Sequence, residues 1–312
     1  MSNVIVVSKD DVRELLDLGE LRQALSVALI ALARGDTSVP ARVAASTNDG
    51  LLAAMPGYVP GLGLAAKLVG VFGGNARLGL PSHQAVIVVF DENTGSPVAV
   101  MDGTEVTATR TAMTAAIAAA AVARPDAGVL AILGAGVQGT SHLNAFADLF
   151  PFGEIRIASR DAARAAALAA CHRAGRAVGT FEAAAVGADI VCCCTDARSP
   201  IVEDAWISPG THVSSVGMGR ELDPATIDRA RVFVESHTAL EPPPAGAEEL
   251  QGRDPSLVTE IGAVLEGRAS GRSSDDSVTV YKSVGDAAED VAAASVVLRR
   301  ARALGRGIFI AL

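Results

Sequence analysis

The chain has 312 residues, half of them hydrophobic and a fifth charged, enough apolar surface to bury two domains or one large one. A formal net charge of −9 and a pI near 5.1 leave no basic field, which excludes a general nucleic-acid backbone binder. Small anionic ligands, which need only a few local cations, remain open.

The opening "MSNVIVVSKDDVRELL" reaches charged residues after a short apolar run, too short for the ~7–15 apolar residues of a secretory signal. Residues 4–7 predict a strand, and Ser8, three before Asp11, a helix start. In "GELRQALSVALIALARGD" apolar residues at 21, 24, 25, 28, 29 and 32 share one helix face, and Gly35 is placed to stop it. From 39 to 101, short apolar runs separated by Gly, Pro, Asn and Asp predict a mostly antiparallel sheet, with "DENTG" as a hairpin connection. A long helix follows over 104–123, ending at Arg124-Pro125. Its alanine-rich part, "TAMTAAIAAAAVA", is well short of the ~20 residues that span a bilayer, so no membrane partner is expected.

The rhythm then changes. Strand 128–133, helix 137–149, strand 154–158 and helix 161–174 lead through a segment at 177–185 to strands at 188–194, 211–216 and 231–235. This alternation implies a parallel, doubly wound sheet. A helix near 246–252, a polar loop "GRASGRSSDDS", the strand "VTVYKSV" and a helix over 286–304 close the chain. The four cysteines, Cys171 and Cys192-Cys193-Cys194, form no C-x-x-C pair. "ADIVCCCT" reads as a buried strand using Cys as a small apolar residue, and unpaired thiols fit a reducing cytoplasm, with no metal site.

"VLAILGAGVQGTSHLNAF" (129–146) carries Gly134, Gly136 and Gly139 directly after an apolar run and at the start of an apolar-periodic helix. That context turns a weak G-x-G-x-x-G match into a dinucleotide cradle. The first glycine makes the turn, the second lets the pyrophosphate approach, and the third lets helix and strand pack. Where NAD enzymes place an acid after the second strand, this chain has Ser159 and Arg160, with Arg164 one helical turn on and Asp161 one residue late. A hydroxyl and a guanidinium suit a 2′-phosphate, so NADP(H) is preferred. Arg160 stacked on adenine would serve NAD(H) as well.

Three cations stand among apolar neighbours: Arg42 at a strand start, Lys67 in "GLAAKLVGVF" and Arg110 in "DGTEVTATRTAMTAA". A buried cation is costly unless paired or ligated. These three either converge as a carboxylate clamp or reach solvent or pair structurally with Asp102 or Glu105.

At this point the stretches "AAMPGY", "KLVGVFGGNARLGLPSHQAVIVVFDENTGSPVAVMDGTEVTATRTA", "LGAGVQGTSH", "GADIVCCCTDARSPIV", "PGTHVSSVG", "RELD" and "VTVYKSVGDAAEDVAAA" resemble the ornithine cyclodeaminase/μ-crystallin family, from about residue 39 to the C-terminus. The resemblance implies an α/β homodimer in which a Rossmann dinucleotide-binding domain (123–289) is inserted in a mixed α+β substrate-binding and dimerisation domain (1–122 plus 290–312). It implies that Arg42, Lys67 and Arg110 grip a substrate carboxylate beside Met55. It also implies that Gly136, Val137 and Gln138 lie in the pyrophosphate turn, that Thr195 to Ser199 lie under the nicotinamide ribose, and that Lys282 and Ser283 border the nicotinamide.

Two departures bear on the reaction. Cyclodeaminases carry an acid two residues before that methionine, where this chain has Ala53. They also carry an aspartate after "VG", where this chain has Met218 and Gly219, leaving Glu221 or Asp223 as replacements. "LPSHQAV" around His83 is more similar to the μ-crystallin and imine-reductase branch, with His83 either a proton relay or a structural histidine. The resulting expectation is an NAD(P)H-dependent reductase of a cyclic α-imino acid, pyrroline-2-carboxylate or piperideine-2-carboxylate. The alternatives are an ornithine or lysine cyclodeaminase, an alanine dehydrogenase, and an NADPH- and ligand-binding protein.

Overall fold

A computed structural model describes residues 3–311. The chain divides into two compact units, one running to Arg110 and resuming at Asp286, the other spanning Thr111–Gly285. Along the first unit come β1 (Asn3–Val7), α1 (Lys9–Leu15), α2 (Leu18–Arg34), β2 (Val43–Ser46), β3 (Leu51–Val59), β4 (Gly63–Val71), β5 (His83–Phe90), β6 (Pro97–Asp102) and the start of α3 (Gly103–Val122). Local chemistry sets the ends. The Ser8 hydroxyl accepts the Asp11 N–H at 3.2 Å to start α1, and Gly35, at φ +73°, closes α2 in the left-handed conformation. Asp91 accepts the Asn93 and Thr94 N–H groups and so builds the "DENTG" hairpin.

The second unit holds β7 (Val129–Leu133), α4 (Val137–Leu149), β8 (Glu154–Ala158), α5 (Ala162–Ala169), β9 (Gly175–Ala177), α6 (Phe181–Ala185), β10 (Ile190–Cys193), β11 (His212–Ser215), α7 (Pro224–Arg229), β12 (Arg231–Val234), β13 (Val258–Glu260), α8 (Ile261–Leu265) and β14 (Thr279–Lys282). Its sheet order is β13-β12-β14-β11-β10-β7-β8-β9, and every pairing is parallel. From β9 inward this is the doubly wound order, which reverses between β7 and β10. Ligands of such sheets bind outside the strand C-termini at that reversal. Cys192 and Cys193 are fully buried in β10, and burial pushes the three neighbouring thiols well above their ordinary range, so they act as apolar filling.

The chain then returns to the first unit through α9 (Ala287–Leu304) and β15 (Ile308–Ala311), completing a sheet ordered β15-β1-β6-β5-β4-β3-β2. The β1–β6 pairing is parallel and the others are antiparallel. Helix α9 lies across β3 and β4. It comes so close that a Cβ on Gly57 would sit 3.1 Å from that of Ala287.

Three sequence expectations need correction. The helix expected over 161–174 stops at Ala169, because the chain folds back until a Cβ on Gly175 would lie 2.2 Å from the Ala169 carbonyl oxygen. The helix expected near 246–252 is a single 3-10 turn at Glu248–Leu250, with one buried anchor, Leu250, and Gly252 at φ +77° behind it. Strand β15 was not foreseen. The divisions between units fall before the expected 122/123 and 289/290. The end of α3 bonds to the second unit, where the Val122 carbonyl accepts from Arg272 and Thr279. The start of α9 packs with Lys67 and Arg110 in the first. No helix among the described residues is long and apolar enough to cross a membrane.

Candidate active site

In the first unit, strand register creates a row of side chains on one sheet face. Met55 pairs with Lys67, Lys67 with Ile87 and Ile87 with Met101, and all four are buried. Arg42 directly precedes Val43, the partner of Ala54, so the ladder continues it toward Met55. Helix α9 covers this row and brings two acids to it. The Lys67 ammonium lies 2.8 Å from Asp290 Oδ2, and Arg110 Nε lies 3.0 Å from Asp290 Oδ1. Arg110 Nη1 bonds Glu289. Lys67 and Arg110 are only 2% and 3% exposed.

Burial lowers the Lys67 ammonium to about 8; Arg110 and Arg42 push the same way while Asp290 opposes them. Burial alone would raise the Asp290 carboxyl, but Arg110 and Lys67 outweigh it and hold it below its ordinary range. Lys67 is thus a cation poised to change charge near neutrality, beside two guanidiniums that do not.

The pairing with Asp102 or Glu105 that the sequence suggested is not what forms. Asp102 accepts the Glu105 N–H at 2.7 Å to start α3, and Glu105 bonds Arg13 at 2.9 Å. Sequence reasoning missed Glu289 and Asp290, although two adjacent acids opening a small, apolar helix were a visible signal. Ala53 is buried against Met55, Val69 and Ala287, so the wall next to Lys67 is small and apolar. His83 is exposed at the start of β5, its Nδ1 3.1 Å from the Ser82 hydroxyl. It shares the Lys67 face but precedes Ile87 by four residues, roughly 13 Å along the strand. The structure therefore groups Arg42, Met55, Lys67 and Arg110, and sets His83 apart from them.

In the second unit the glycine turn has the geometry of a cradle. Gly134 adopts φ +114°, and a Cβ there would strike the Cys194 carbonyl oxygen at 2.5 Å. A Cβ on Gly139 would lie 2.0 Å from the Gly134 oxygen, so α4 is seated directly on the end of β7. Gly136 caps α4 and faces open space, with nothing within 4 Å of a Cβ position. Val137, in the first helical turn, is exposed, and Gln138 Oε1 is buried without a hydrogen-bond partner. This open N-terminus, at the reversal of the sheet, fits a dinucleotide pyrophosphate. Ser159, half-buried, and the exposed Arg160 follow β8. Asp161 is occupied: its Oδ1 accepts the Arg164 N–H at 3.1 Å and its Oδ2 lies 3.3 Å from Arg164 Nε.

Beyond β10 and β11 runs a buried polar network that the sequence did not reveal. Glu221 accepts the Thr195 N–H at 2.9 Å and its hydroxyl at 2.7 Å. Its other oxygen accepts the Ser215 hydroxyl at 2.8 Å and the Gly217 N–H at 2.9 Å. Lys282 Nζ pairs with Glu249 at 2.7 Å and donates to Ser215 and to the Gly217 carbonyl. Lys282, expected beside the nicotinamide, is thus fully enclosed and ties strand β14 to the turn after β11. Ser283 is also buried and bonds Glu235, while Ser199 is exposed. Glu221 is committed to its four donors, and Asp223 caps α7, so neither is poised as a base. Gly219 can carry no side chain, since a Cβ would sit 2.2 Å from the Ala197 carbonyl oxygen.

Replacing Lys282 by methionine strands Glu249 in the interior, so a loss of about 3 kcal/mol or more in unfolding free energy is expected. Lys282→Met with Glu249→Leu should recover most of it, and denaturant titration of the two variants checks this.

Among the described residues no group of three or more His, Cys, Asp or Glu could hold a metal ion. A family model described as ornithine cyclodeaminase/mu-crystallin matches residues 2–305. The chain belongs to that family. Within it, the chain is 36% identical over 261 residues to the ketimine reductase mu-crystallin of Mus musculus, covering 82% of each. Its fold is similar to that of Thermococcus litoralis Δ1-pyrroline-2-carboxylate reductase in complex with NADH and L-proline (TM-score 0.92, 28% identity, 98% of this chain and 100% of that one). An archaeal alanine dehydrogenase dimer with bound NAD is similar as well (TM-score 0.89, 29% identity, 99% of each chain). This family member therefore combines a pyridine-nucleotide fold with the cation cluster described above.

Proposed function

We propose that the chain is an NAD(P)H-dependent oxidoreductase that reduces a cyclic α-imino acid, pyrroline-2-carboxylate or piperideine-2-carboxylate, to the L-amino acid. The observation that carries this reading is the buried cluster of Lys67, Arg110 and nearby Arg42 beside a small apolar wall at Ala53. Cations in that arrangement bind one carboxylate with charge-assisted hydrogen bonds and so fix the position of the neighbouring imine carbon. A reduced nicotinamide dinucleotide, held by the turn Gly134–Gly139, supplies a hydride to that carbon when bound. A protonated cyclic imine already carries the proton that ends on nitrogen, so the chain needs no strong acid at the reacting bond.

A cyclodeaminase has a second requirement, a base at the distal amine. Ala53, Met218, Gly219, the committed Glu221 and the capping Asp223 offer none. The test is a spectrophotometric screen of NADPH and NADH oxidation with pyrroline- and piperideine-2-carboxylate, pyruvate plus ammonia, and ornithine. Oxidation with the cyclic imines is expected. Ammonia release from ornithine with NAD alone would assign a cyclodeaminase, and turnover confined to pyruvate plus ammonia an alanine dehydrogenase. Tight NADPH binding with no turnover on any of them would leave a binding protein.

NADPH is the preferred reductant in this reading, because Ser159 and Arg160 are available after β8 while Asp161 is engaged with α5. Arg160→Ala should cost about tenfold or more in kcat/KM with NADPH, the worth of a charged hydrogen bond, and little with NADH. Paired steady-state assays decide it.

The protein is a homodimer in the same reading. The sheet face opposite Lys67 presents Val43, Leu52 and Leu68 to solvent, and β15 exposes Ile308 and Phe309, an apolar surface of the kind that marks a protein interface. The similar alanine dehydrogenase is described as a dimer.

A further inference from the structure

We propose that Asp290 is the positioning residue of this site, a carboxylate whose two oxygens hold Lys67 and Arg110 one apiece and set where a substrate carboxylate binds. The inference rests on the reductase reading for its kinetic consequences and on geometry alone for the arrangement. Oδ2 lies 2.8 Å from Lys67 Nζ and Oδ1 3.0 Å from Arg110 Nε. Glu289, one residue earlier, engages Nη1 of the same guanidinium, so Arg110 is gripped at two points.

The acids are rigidly presented. They lie in the first turn of α9, which starts where the Asp286 carboxylate accepts the Ala288 N–H at 2.9 Å. The same turn rests closely on β3, where a Cβ at Gly57 would crowd Ala287 at 3.1 Å. Burying four charges is a poor way to stabilise a fold, since well-packed apolar residues of similar volume do as well or better. What the arrangement does supply is fixed geometry for two cations, the property that orienting a carboxylate requires.

Removing the charge at 290 has a direction that structure dictates. The groups facing Lys67 are Asp290 from α9, Arg110 from α3 and Arg42 from the segment before β2. Glu289 faces Arg110. With Asp290 neutral, burial and the two guanidiniums act on Lys67 unopposed, and its ammonium gives up its proton at lower pH. The protonated form binds carboxylate, so activity falls as pH rises through the Lys67 midpoint, and Asp290→Asn brings that fall to lower pH.

The chain has three lysines, Lys9, Lys67 and Lys282, so ε-¹³C-lysine labelling gives a spectrum in which Lys67 can be followed directly. The experiment titrates wild type and Asp290→Asn by this signal, and measures kcat/KM for the imino acid against pH in parallel. The expected result is a Lys67 midpoint lower by about one pH unit or more, a high-pH limb of kcat/KM that moves with it, and a KM raised about tenfold. An unmoved Lys67 midpoint overturns the proposal. A shifted midpoint in a protein that reduces none of the imines supports the role of Asp290 and defeats the reductase reading alone. Asp290→Glu keeps the charge but displaces it by one methylene. It should keep the midpoint near that of wild type and raise KM more than it lowers kcat. Should the asparagine variant not fold, an unchanged KM in Asp290→Glu overturns the proposal.

Discussion

Lys67→Met is expected to lower kcat/KM for the imino acid on the order of 10³-fold while leaving dinucleotide affinity within about twofold. The size follows from burial. Truncating one partner of a buried, hydrogen-bonded charge pair costs roughly 3–5 kcal/mol, and each 1.4 kcal/mol is a factor of ten. Methionine matches the lysine stem, so the row from Met55 to Met101 keeps its packing, and Arg110 still neutralises Asp290. The loss should therefore fall on the substrate terms, with the protein folded. Steady-state kinetics at saturating cofactor, with cofactor affinity read by fluorescence, separates the two. A loss confined to cofactor affinity would show that Lys67 does not hold the carboxylate.

The second large effect separates two glycines three residues apart. Gly136→Val should fold like the wild type, because its Cβ position faces open space, yet weaken dinucleotide binding about 100-fold or more by filling the place a pyrophosphate must take. Gly139→Ala should do the reverse in kind. Its Cβ would lie 2.0 Å from a backbone oxygen, so α4 must lift from β7, an overpacking strain of about 1–3 kcal/mol or more that appears as a lower Tm before any cofactor is added. Calorimetry with and without NADPH reads both. Equal stability losses in the two variants would contradict the assignment of Gly136 to the ligand and Gly139 to packing.

Sequence and structure agree where information is contiguous and diverge where it is not. The cradle was legible because strand, glycines and helix occupy one unbroken stretch whose spacing carries its own physical reason. The buried cysteine strand was legible from apolar continuity. The partners of Lys67 and Arg110 were not, because Asp290 and Glu289 reach them from the other end of the chain, where two acids at a helix start read equally well as an ordinary N-terminal turn. The partners of Lys282 were hidden for a related reason, since Glu249 and Gly217 lie on segments well before it in the chain. Strand β15 was missed although the run Ile308-Phe309-Ile310-Ala311 after Gly307 was a visible strand signal, and the structure leaves all four residues exposed. The helix read over 246–252 would be only about two turns long, and with Ala247 and Leu250 as its buried apolar side chains the segment keeps a single 3-10 turn.

The claim on which the rest depends is that the Lys67–Arg110 cluster seats a carboxylate for reaction with a nicotinamide. A crystal structure with NADP⁺ and L-proline tests it most directly. The expected result is a proline carboxylate oxygen within about 3.2 Å of Lys67 Nζ and the proline Cα about 3–3.5 Å from the nicotinamide C4. A proline carboxylate bound by other residues, with Lys67 still enclosed by Asp290 alone, would contradict the account.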